Sequence, residues 1–279
     1  MNIWYAFCDL LPLPFLTMNF MKNALLAVLI MAPLFGLLST MVVTGKMSFF
    51  SDALGHSGFT GIAIGVLCGS LAPTVWAVAL AVIFALLFTY VRAKSSHAAE
   101  TIISVFSSTA VALGIFIATL NGSSFTKFNR YLIGDILSVT PEEIGLLALV
   151  LVLVVVLWCL ASNRLVLTSV HPQLASSRGI PVRGFEALFT VSIAVVVTLA
   201  MSWVGLMVIN SLLVLPAAAA RNISKNLRQY HGFSILAAFA AGLAGLVTSY
   251  YLSSSTGAVI SLYLAVFFAV TFCLRKHRQ

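Results

Sequence analysis

Charged side chains are scarce in this chain: only 8% of its 279 residues are Asp, Glu, Lys or Arg, and seven of these are acidic. Soluble domains carry roughly a quarter charged residues, so the shortage excludes a soluble protein with an ordinary surface. Hydrophobic residues make up 61% of the chain, and the mean hydropathy is +1.10. The apolar residues form runs of about twenty positions, which favours membrane helices over a membrane barrel. We therefore predict an all-α fold, a polytopic transmembrane helical bundle.

Several sequence motifs are absent as well. No Walker A motif occurs, so any ATP hydrolysis that drives this protein must take place on another subunit. The His-Glu-x-x-His motif is absent too, and we predict no enzymatic activity for the chain. The formal charge of +8 is spread over short loops and forms no basic stripe with interleaved aromatics, which excludes nucleic acid as a partner. The cysteines lack the paired spacing of zinc or redox sites, and we expect them to pack in apolar stretches: Cys8, Cys68, Cys159 and Cys273.

Nine stretches are candidates for membrane spans, with eight as the alternative count. They cover residues 23–43, 54–70, 73–92, 101–120, 143–162, 186–204, 206–220, 232–251 and 258–274. The two spans that meet at residues 203–205 have almost no loop between them, and the span that ends at Pro216 is short, which leaves a re-entrant or broken helix at one of these places as an alternative. Residues 1–22 lack the basic start of a signal peptide and include Asp9, Pro12 and Pro14. We predict an interfacial segment at 1–22 and a transmembrane domain at 23–279.

The basic residues indicate the orientation of the chain, because cytoplasmic loops retain Lys and Arg. If the N-terminus is outside, twelve of the fifteen basic residues lie on the cytoplasmic side. Only Lys22, Lys127 and Arg130 remain outside. We therefore predict an outside N-terminus and a cytoplasmic C-terminus.

Asp52 and His56 stand four residues apart, so on a helix they share one face. A carboxylate and an imidazole on one turn can bind a divalent cation. An ionisable residue in a membrane helix costs about 2.5 to 3.5 kcal/mol on insertion scales, so it persists mainly beside a bundle interior or a water-filled path. The pair therefore predicts a metal site on an ion pathway. The alternative is a helix N-cap formed by Ser51 or Asp52, with His56 as a hydrogen-bonded interior side chain.

Glycines follow this pair at steps of three and four residues. Such a stripe lets a neighbouring helix backbone approach closely, and we predict helix packing along it. The stripe consists of Gly55, Gly58, Gly61, Gly65 and Gly69.

Residues 163–185 form the longest polar stretch between spans. Pro172 is suited to the first position of a short helix, and Gly179 with Pro181 is suited to closing it. On the positively charged side, such a helix could dock a soluble partner; an ordinary surface loop is the alternative.

Acidic residues near other span ends are secondary candidates for metal binding. Asp135 lies in an apolar segment, and Glu100 begins a span. Both also have structural explanations, since a carboxylate stabilises the positive end of a helix. Thr140, Pro141 and Glu143 form a helix start signal.

Three stretches together resemble the membrane permease of ABC importers for zinc, manganese and iron. They are Ser51-Asp52-Ala53-Leu54-Gly55-His56, the run from Tyr131 to Pro141 that contains Gly-Asp-Ile-Leu-Ser-Val-Thr-Pro, and Ser211-Leu212-Leu213-Val214-Leu215-Pro216-Ala217-Ala218-Ala219-Ala220-Arg221. The resemblance extends from about residue 23 to the C-terminus. The Gly-Asp-Ile-Leu-Ser-Val-Thr-Pro-Glu-Glu run is most similar to zinc-uptake permeases, whereas Ser107 and Ser108 look more like the manganese branch.

The resemblance implies a homodimer in the bacterial cytoplasmic (inner) membrane. It further implies two cytoplasmic ATP-binding subunits, an extracytoplasmic metal-binding solute-binding protein, and alternating access for a divalent metal, zinc before manganese. Asp52 and His56 would be the metal ligands, and 163–185 would be the segment that couples to the ATPase, through Pro172, Leu174, Ala175, Arg178 and Gly179. No bound cofactor is implied beyond the transported metal. The alternative function is a secondary, ion-coupled metal carrier without an ATPase.

Overall fold

The computed structural model describes residues 2–9, 14–69, 72–95, 97–120 and 136–276, and all regular structure in these ranges is helical. Nine helices in the described ranges have eighteen or more residues. Two short α-helices, α1 (Asn2–Asp9) and α7 (Pro172–Ser177), and two 3₁₀ helices, Pro14–Thr17 and Ile136–Ser138, complete the set in these ranges. The long helices are α2 (Asn19–Thr44), α3 (Phe50–Leu67), α4 (Pro73–Lys94), α5 (Ala99–Thr119), α6 (Pro141–Val170), α8 (Val182–Val204), α9 (Leu206–Ile223), α10 (Leu227–Leu252) and α11 (Thr256–Lys276). Each overlaps one predicted span, although the predicted spans 54–70 and 101–120 run past the ends of α3 and α5, and the all-α transmembrane fold is confirmed.

Eight of these helices are long and apolar enough to cross a membrane, and α3 is not among them. Its sequence contains Asp52, His56 and several Gly, Ser and Thr residues. Thirteen of its eighteen residues are buried within the protein. A helix that is covered by other helices does not need an apolar surface for lipid, which explains why its length predicts a span while its composition does not.

The chain divides into two units. The first consists of Met1–Thr40, Asp135–Val155 and Trp203–Gln279, in which α9, α10 and α11 pack against one another. Here the α2 backbone closely approaches α10, since a Cβ on Gly36 would lie 2.7 Å from Ile235 Cα. The Ser39 and Ser234 hydroxyl oxygens, both buried, lie 2.8 Å apart in this contact. The two buried hydroxyls can hydrogen-bond to each other, which lipid acyl chains could not do for them.

The second unit consists of Met41–Gly134 and Val156–Ser202. Within it, α3 packs against both α4 and α5. The aromatic rings of Phe50 and Phe88 meet at 4.6 Å between centroids, and both side chains are fully buried. The threonines Thr89 and Thr190 join α4 to α8 through hydroxyl oxygens 2.9 Å apart. This unit places α3 in a protein environment on most of its surface.

Helix ends follow the sequence signals closely. Thr140 and Glu143 form the predicted capping box: the Thr140 N–H donates to Glu143 Oε2 at 2.8 Å, and the Glu143 N–H donates to Thr140 Oγ1 at 3.4 Å. Between α8 and α9 only Gly205 intervenes, with φ of +90°. Glycine adopts this conformation readily, so two separate helices abut without a loop.

The N-terminal segment contacts the start of α2. The Trp4 indole N–H donates to the Lys22 carbonyl at 2.9 Å, and the Tyr5 hydroxyl donates to Asn23 Oδ1 at 2.8 Å. The buried Lys22 ammonium forms an ion pair with Asp9. Cys8 is buried here, whereas the other three cysteines are exposed, so the predicted packing role holds for Cys8 and not for the rest.

Candidate functional site

The first turn of α3 carries Asp52. The N-cap residue is Phe49, which makes no side-chain capping hydrogen bond, and the helix begins at Phe50. Neither Ser51 nor Asp52 is therefore the N-cap, and that alternative is wrong. A carboxylate in the first turn still interacts favourably with the positive end of the helix.

Asp52 and His56 face the same direction, and the side chains approach each other. His56 Nε2 lies 3.5 Å from Asp52 Oδ2, and the side chains are 26% and 42% exposed. Every other residue from 50 to 63 is buried. In this part of α3, the only side chains that are partly exposed are therefore Asp52 and His56, the two that can bind a cation.

Close helix packing holds the surrounding part of α3 in place. A Cβ on Gly61 would lie 2.5 Å from Ala77 Cα, and a Cβ on Gly65 would lie 3.1 Å from Pro73 Cα, both in α4. A Cβ on Gly58 would lie 3.0 Å from Met201 Sδ in α8. The prediction that the glycine stripe packs against neighbouring helices is confirmed at these three positions. Two candidate ligands on a helix packed so closely would be preorganised for binding.

Further ligands do not join the pair within the described part of the chain. There, no group of three or more His, Cys, Asp or Glu side chains could hold a metal ion. Glu100 lies exposed in the first turn of α5, and its role as a ligand stays a prediction. Asp135 lies outside the described residues, and its proposed role likewise stays a prediction. The described residues of one chain thus contribute two donor side chains to the candidate site.

The predicted short helix in 163–185 is present as α7. Pro172 occupies its first turn, and Gly179 follows its end with φ of +71°. The Ile180 N–H donates to the Ala175 carbonyl at 3.1 Å, and the Gly179 N–H donates to the Ser176 carbonyl at 3.0 Å. This is the Schellman pattern of helix closure, which requires a left-handed residue at the Gly179 position.

The α7 surface suits contact with another protein. Ala175 is fully buried and anchors the helix, while Pro172, Leu174, Arg178 and Gly179 are exposed. Leu174 is an apolar side chain that is 44% exposed. Next to α7 lies an open groove of about 560 Å³ whose lining includes Arg92, Arg183 and Glu186.

One residue that sequence analysis did not single out lies one turn beyond His56. The Thr60 hydroxyl contacts the carbonyl oxygens of His56 and of Ala110 in α5. The four-residue spacing could have indicated the bond to His56, because Thr in a helix often donates to the carbonyl four residues back. The contact with α5 depends on how two helices pack and has no signal in the sequence.

Comparison with known proteins gives a consistent result. The model of the ABC 3 transport family matches residues 17–275. The chain is 30% identical to the manganese import system permease protein ScaB of Streptococcus parasanguinis, over 94% of this chain and 92% of the relative. It is 24% identical to the high-affinity zinc uptake system membrane protein ZnuB of Haemophilus influenzae, over 91% and 97%. The solved structure of PsaBC from Streptococcus pneumoniae in complex with Fab matches with a TM-score of 0.80 and 26% identity, over 98% of this chain and 95% of that chain.

Proposed function

This chain belongs to the ABC 3 transport family, and from that membership we propose that it carries a divalent transition metal into the cell, zinc before manganese. It is a metal ABC transporter permease subunit, and it lies in the bacterial cytoplasmic (inner) membrane as a multi-pass protein. The resemblance to zinc and manganese permeases is thereby confirmed. The observation that carries the proposal is the open Asp52/His56 pair on the otherwise buried stretch of α3.

The geometry of the pair suits a zinc ion. Zinc binds imidazole nitrogen and carboxylate oxygen at about 2.0 to 2.2 Å, so two ligands in a tetrahedral shell lie about 3.4 Å apart. The observed separation of Nε2 and Oδ2 is 3.5 Å. Both atoms can therefore contact one ion without a change in the helix. Manganese accepts the same donor types, so this donor set serves both metals.

Two ligands leave a tetrahedral shell half filled. A second copy of the chain, related by a two-fold axis, would add its own Asp52 and His56 and complete four donors. We therefore propose a homodimer with the ion on the axis. Sharing the ion between two chains also provides a means of release, because a small separation of the chains removes half of the ligands.

The proposed cycle needs no covalent chemistry from this chain. A solute-binding protein would deliver the metal on the outside, where the N-terminus lies. Two ATP-binding subunits would dock on the cytoplasmic side at the 163–185 segment, with exposed Leu174 and Arg178 as contacts. ATP hydrolysis on those subunits would switch the permease between outward- and inward-open states, and differential metal affinity of the two states gives net transport. Residues 1–22 would lie at the membrane interface, outside the 23–279 permease domain.

Metal uptake by the reconstituted complex tests the proposal. We expect Asp52→Ala and His56→Ala to abolish zinc uptake while the complex still assembles, because each removes half of a chain's donors. His97→Ala is the matched control, since this exposed histidine precedes α5. Normal uptake by both variants would exclude the ligand role. Competition among Zn²⁺, Mn²⁺ and Fe²⁺ identifies the metal, and uptake without ATP would favour a secondary carrier.

A further inference from the structure

The Thr60 hydroxyl joins two helices one turn beyond His56. Its oxygen lies 2.7 Å from the Ala110 carbonyl oxygen of α5 and 3.0 Å from the His56 carbonyl oxygen of α3. Thr60 is only 2% exposed. A hydroxyl has one proton to donate, so the shorter contact with Ala110 marks the principal hydrogen bond, with His56 sharing it. The turn of α3 that carries His56 is thereby tied to α5.

The two helices approach closely at this point. A Cβ on Gly114, one turn after Ala110, would lie 2.6 Å from Thr60 Oγ1 and 2.8 Å from Phe59 Cδ1. Glycine at this position is therefore needed for α5 to reach the Thr60 hydroxyl. Ala110 is itself buried, so its carbonyl is not open to solvent on the α3 side.

An open apolar groove of about 280 Å³ on the surface of the chain lies beside the hydrogen bond. Thr60 and Ala110 both line it, together with side chains of α4 and α5 such as Phe84 and Phe106. The groove opens between α4 and α5, where lining side chains such as Ile83 and Val105 are exposed, so few side chains of this chain pack beside the hydrogen bond. Where side-chain packing is incomplete, a specific hydrogen bond contributes more to the position of a helix.

We propose that Thr60 is a positioning residue for His56, which it holds through the backbone of α3 and the anchor on α5. The proposal rests on the proposed role of His56 as a metal ligand. Ligands must be held within about 0.5 Å of their productive geometry. Loss of the anchor would let the His56 turn shift relative to α5, which weakens metal binding without removing a ligand.

The test measures equilibrium zinc affinity of the detergent-solubilised permease complex, by competition with a chromophoric chelator and without the solute-binding protein. Thr60→Val keeps the shape of the side chain and removes the donor. We expect it to raise the Kd for Zn²⁺ about fivefold, which corresponds to about 1 kcal/mol, the net contribution of one neutral hydrogen bond. Thr60→Ser keeps the donor and should retain the wild-type Kd.

A matched control comes from α5 itself. The Thr109 hydroxyl donates to the Val105 carbonyl within the same helix, so Thr109→Val removes a hydroxyl beside the same groove without cutting a link between helices. We expect its zinc Kd to be unchanged. Gly114→Ala gives an independent perturbation, because its methyl group would displace Thr60 from α5, and it should raise the Kd as well.

The outcomes separate the two proposals. Wild-type zinc affinity in His56→Ala would show that His56 is not a metal ligand, and this result would overturn both the proposed function of the pair and the role of Thr60. Loss of affinity in His56→Ala together with wild-type affinity in Thr60→Val overturns only the role of Thr60. If Thr60→Val does not assemble, Gly114→Ala decides: a wild-type Kd in that variant overturns the positioning role, and a raised Kd supports it.

Discussion

Gly61→Ala tests the closest contact between α3 and α4. The added methyl carbon would lie 2.5 Å from Ala77 Cα, 2.7 Å from the Trp76 carbonyl oxygen and 2.9 Å from the Ala77 nitrogen. All three are backbone atoms, so no rotamer change can relieve the overlap. The helices must separate by about 1 Å to restore a carbon–carbon distance of about 3.5 Å.

The size of the effect follows from two opposing contributions. Overpacking of a tight interface costs about 1 to 3 kcal/mol. Alanine has a better helix propensity than glycine by about 1 kcal/mol, which offsets part of this cost. The difference is a net loss of up to about 2 kcal/mol, which would lower Tm by up to about 8 °C, using the shift of about 2 to 4 °C per kcal/mol for large domains.

Thermal unfolding of the purified protein in detergent, followed by fluorescence-detected gel filtration, provides the measurement. Gly145→Ala is the matched control, because a Cβ at Gly145 in α6 meets nothing within 4 Å. We expect that control to retain the Tm or to raise it slightly. A Tm for Gly61→Ala equal to or above that of Gly145→Ala would refute the close approach of α3 and α4.

Three further predictions concern the remaining features. Gly179→Val should uncouple ATPase stimulation from transport, because a β-branched residue is strained at φ of +71°; Gly179→Asn tolerates that conformation better and should retain coupling, as the ATPase rate would show. Asp9→Ala should lower Tm more than Lys22→Met does. The first variant leaves the buried Lys22 ammonium without its carboxylate, whereas the second leaves the Asp9 carboxylate, which is 64% exposed to solvent. Equal decreases in Tm would contradict this difference in burial between the two partners. Burial raises the pKa of the Cys8 thiol; the Lys22 charge opposes this effect and the Asp9 charge adds to it. Maleimide labelling followed by mass spectrometry should therefore show that Cys8 reacts far more slowly than the exposed Cys68 near neutral pH. The labelling rate of Cys8 should increase as the pH rises.

Local signals in the sequence predicted much of this structure. Apolar length located all nine long helices, because the hydrophobic period and run length are properties of a single segment. The capping box at Thr140 and the closure of α7 at Gly179 were predictable for the same reason: the interacting groups lie within a few residues of each other. The Asp52/His56 pair also lies within one helical turn, so its spacing predicted a shared face.

Contacts between helices could not be predicted from these local sequence signals. The hydrogen bond from Thr60 to Ala110 spans fifty residues, and neither residue type indicates it. The pair of Lys22 and Asp9 joins two elements whose relative position depends on tertiary packing. The cysteines show the same limit, since an apolar neighbourhood in the sequence does not reveal whether a side chain faces protein or the outer surface.

The modest apolar content of α3 has a consequence for biosynthesis. A nascent segment that contains Asp52 and His56 partitions less readily into the bilayer by itself than the neighbouring apolar helices do, since ionisable side chains disfavour insertion. Helix α4 begins six residues after α3 ends and is strongly apolar. The two helices would thus leave the translocon together as a hairpin, with α4 already covering the glycine face of its partner. Integration of α3 would then depend on the translation of the helix that follows it.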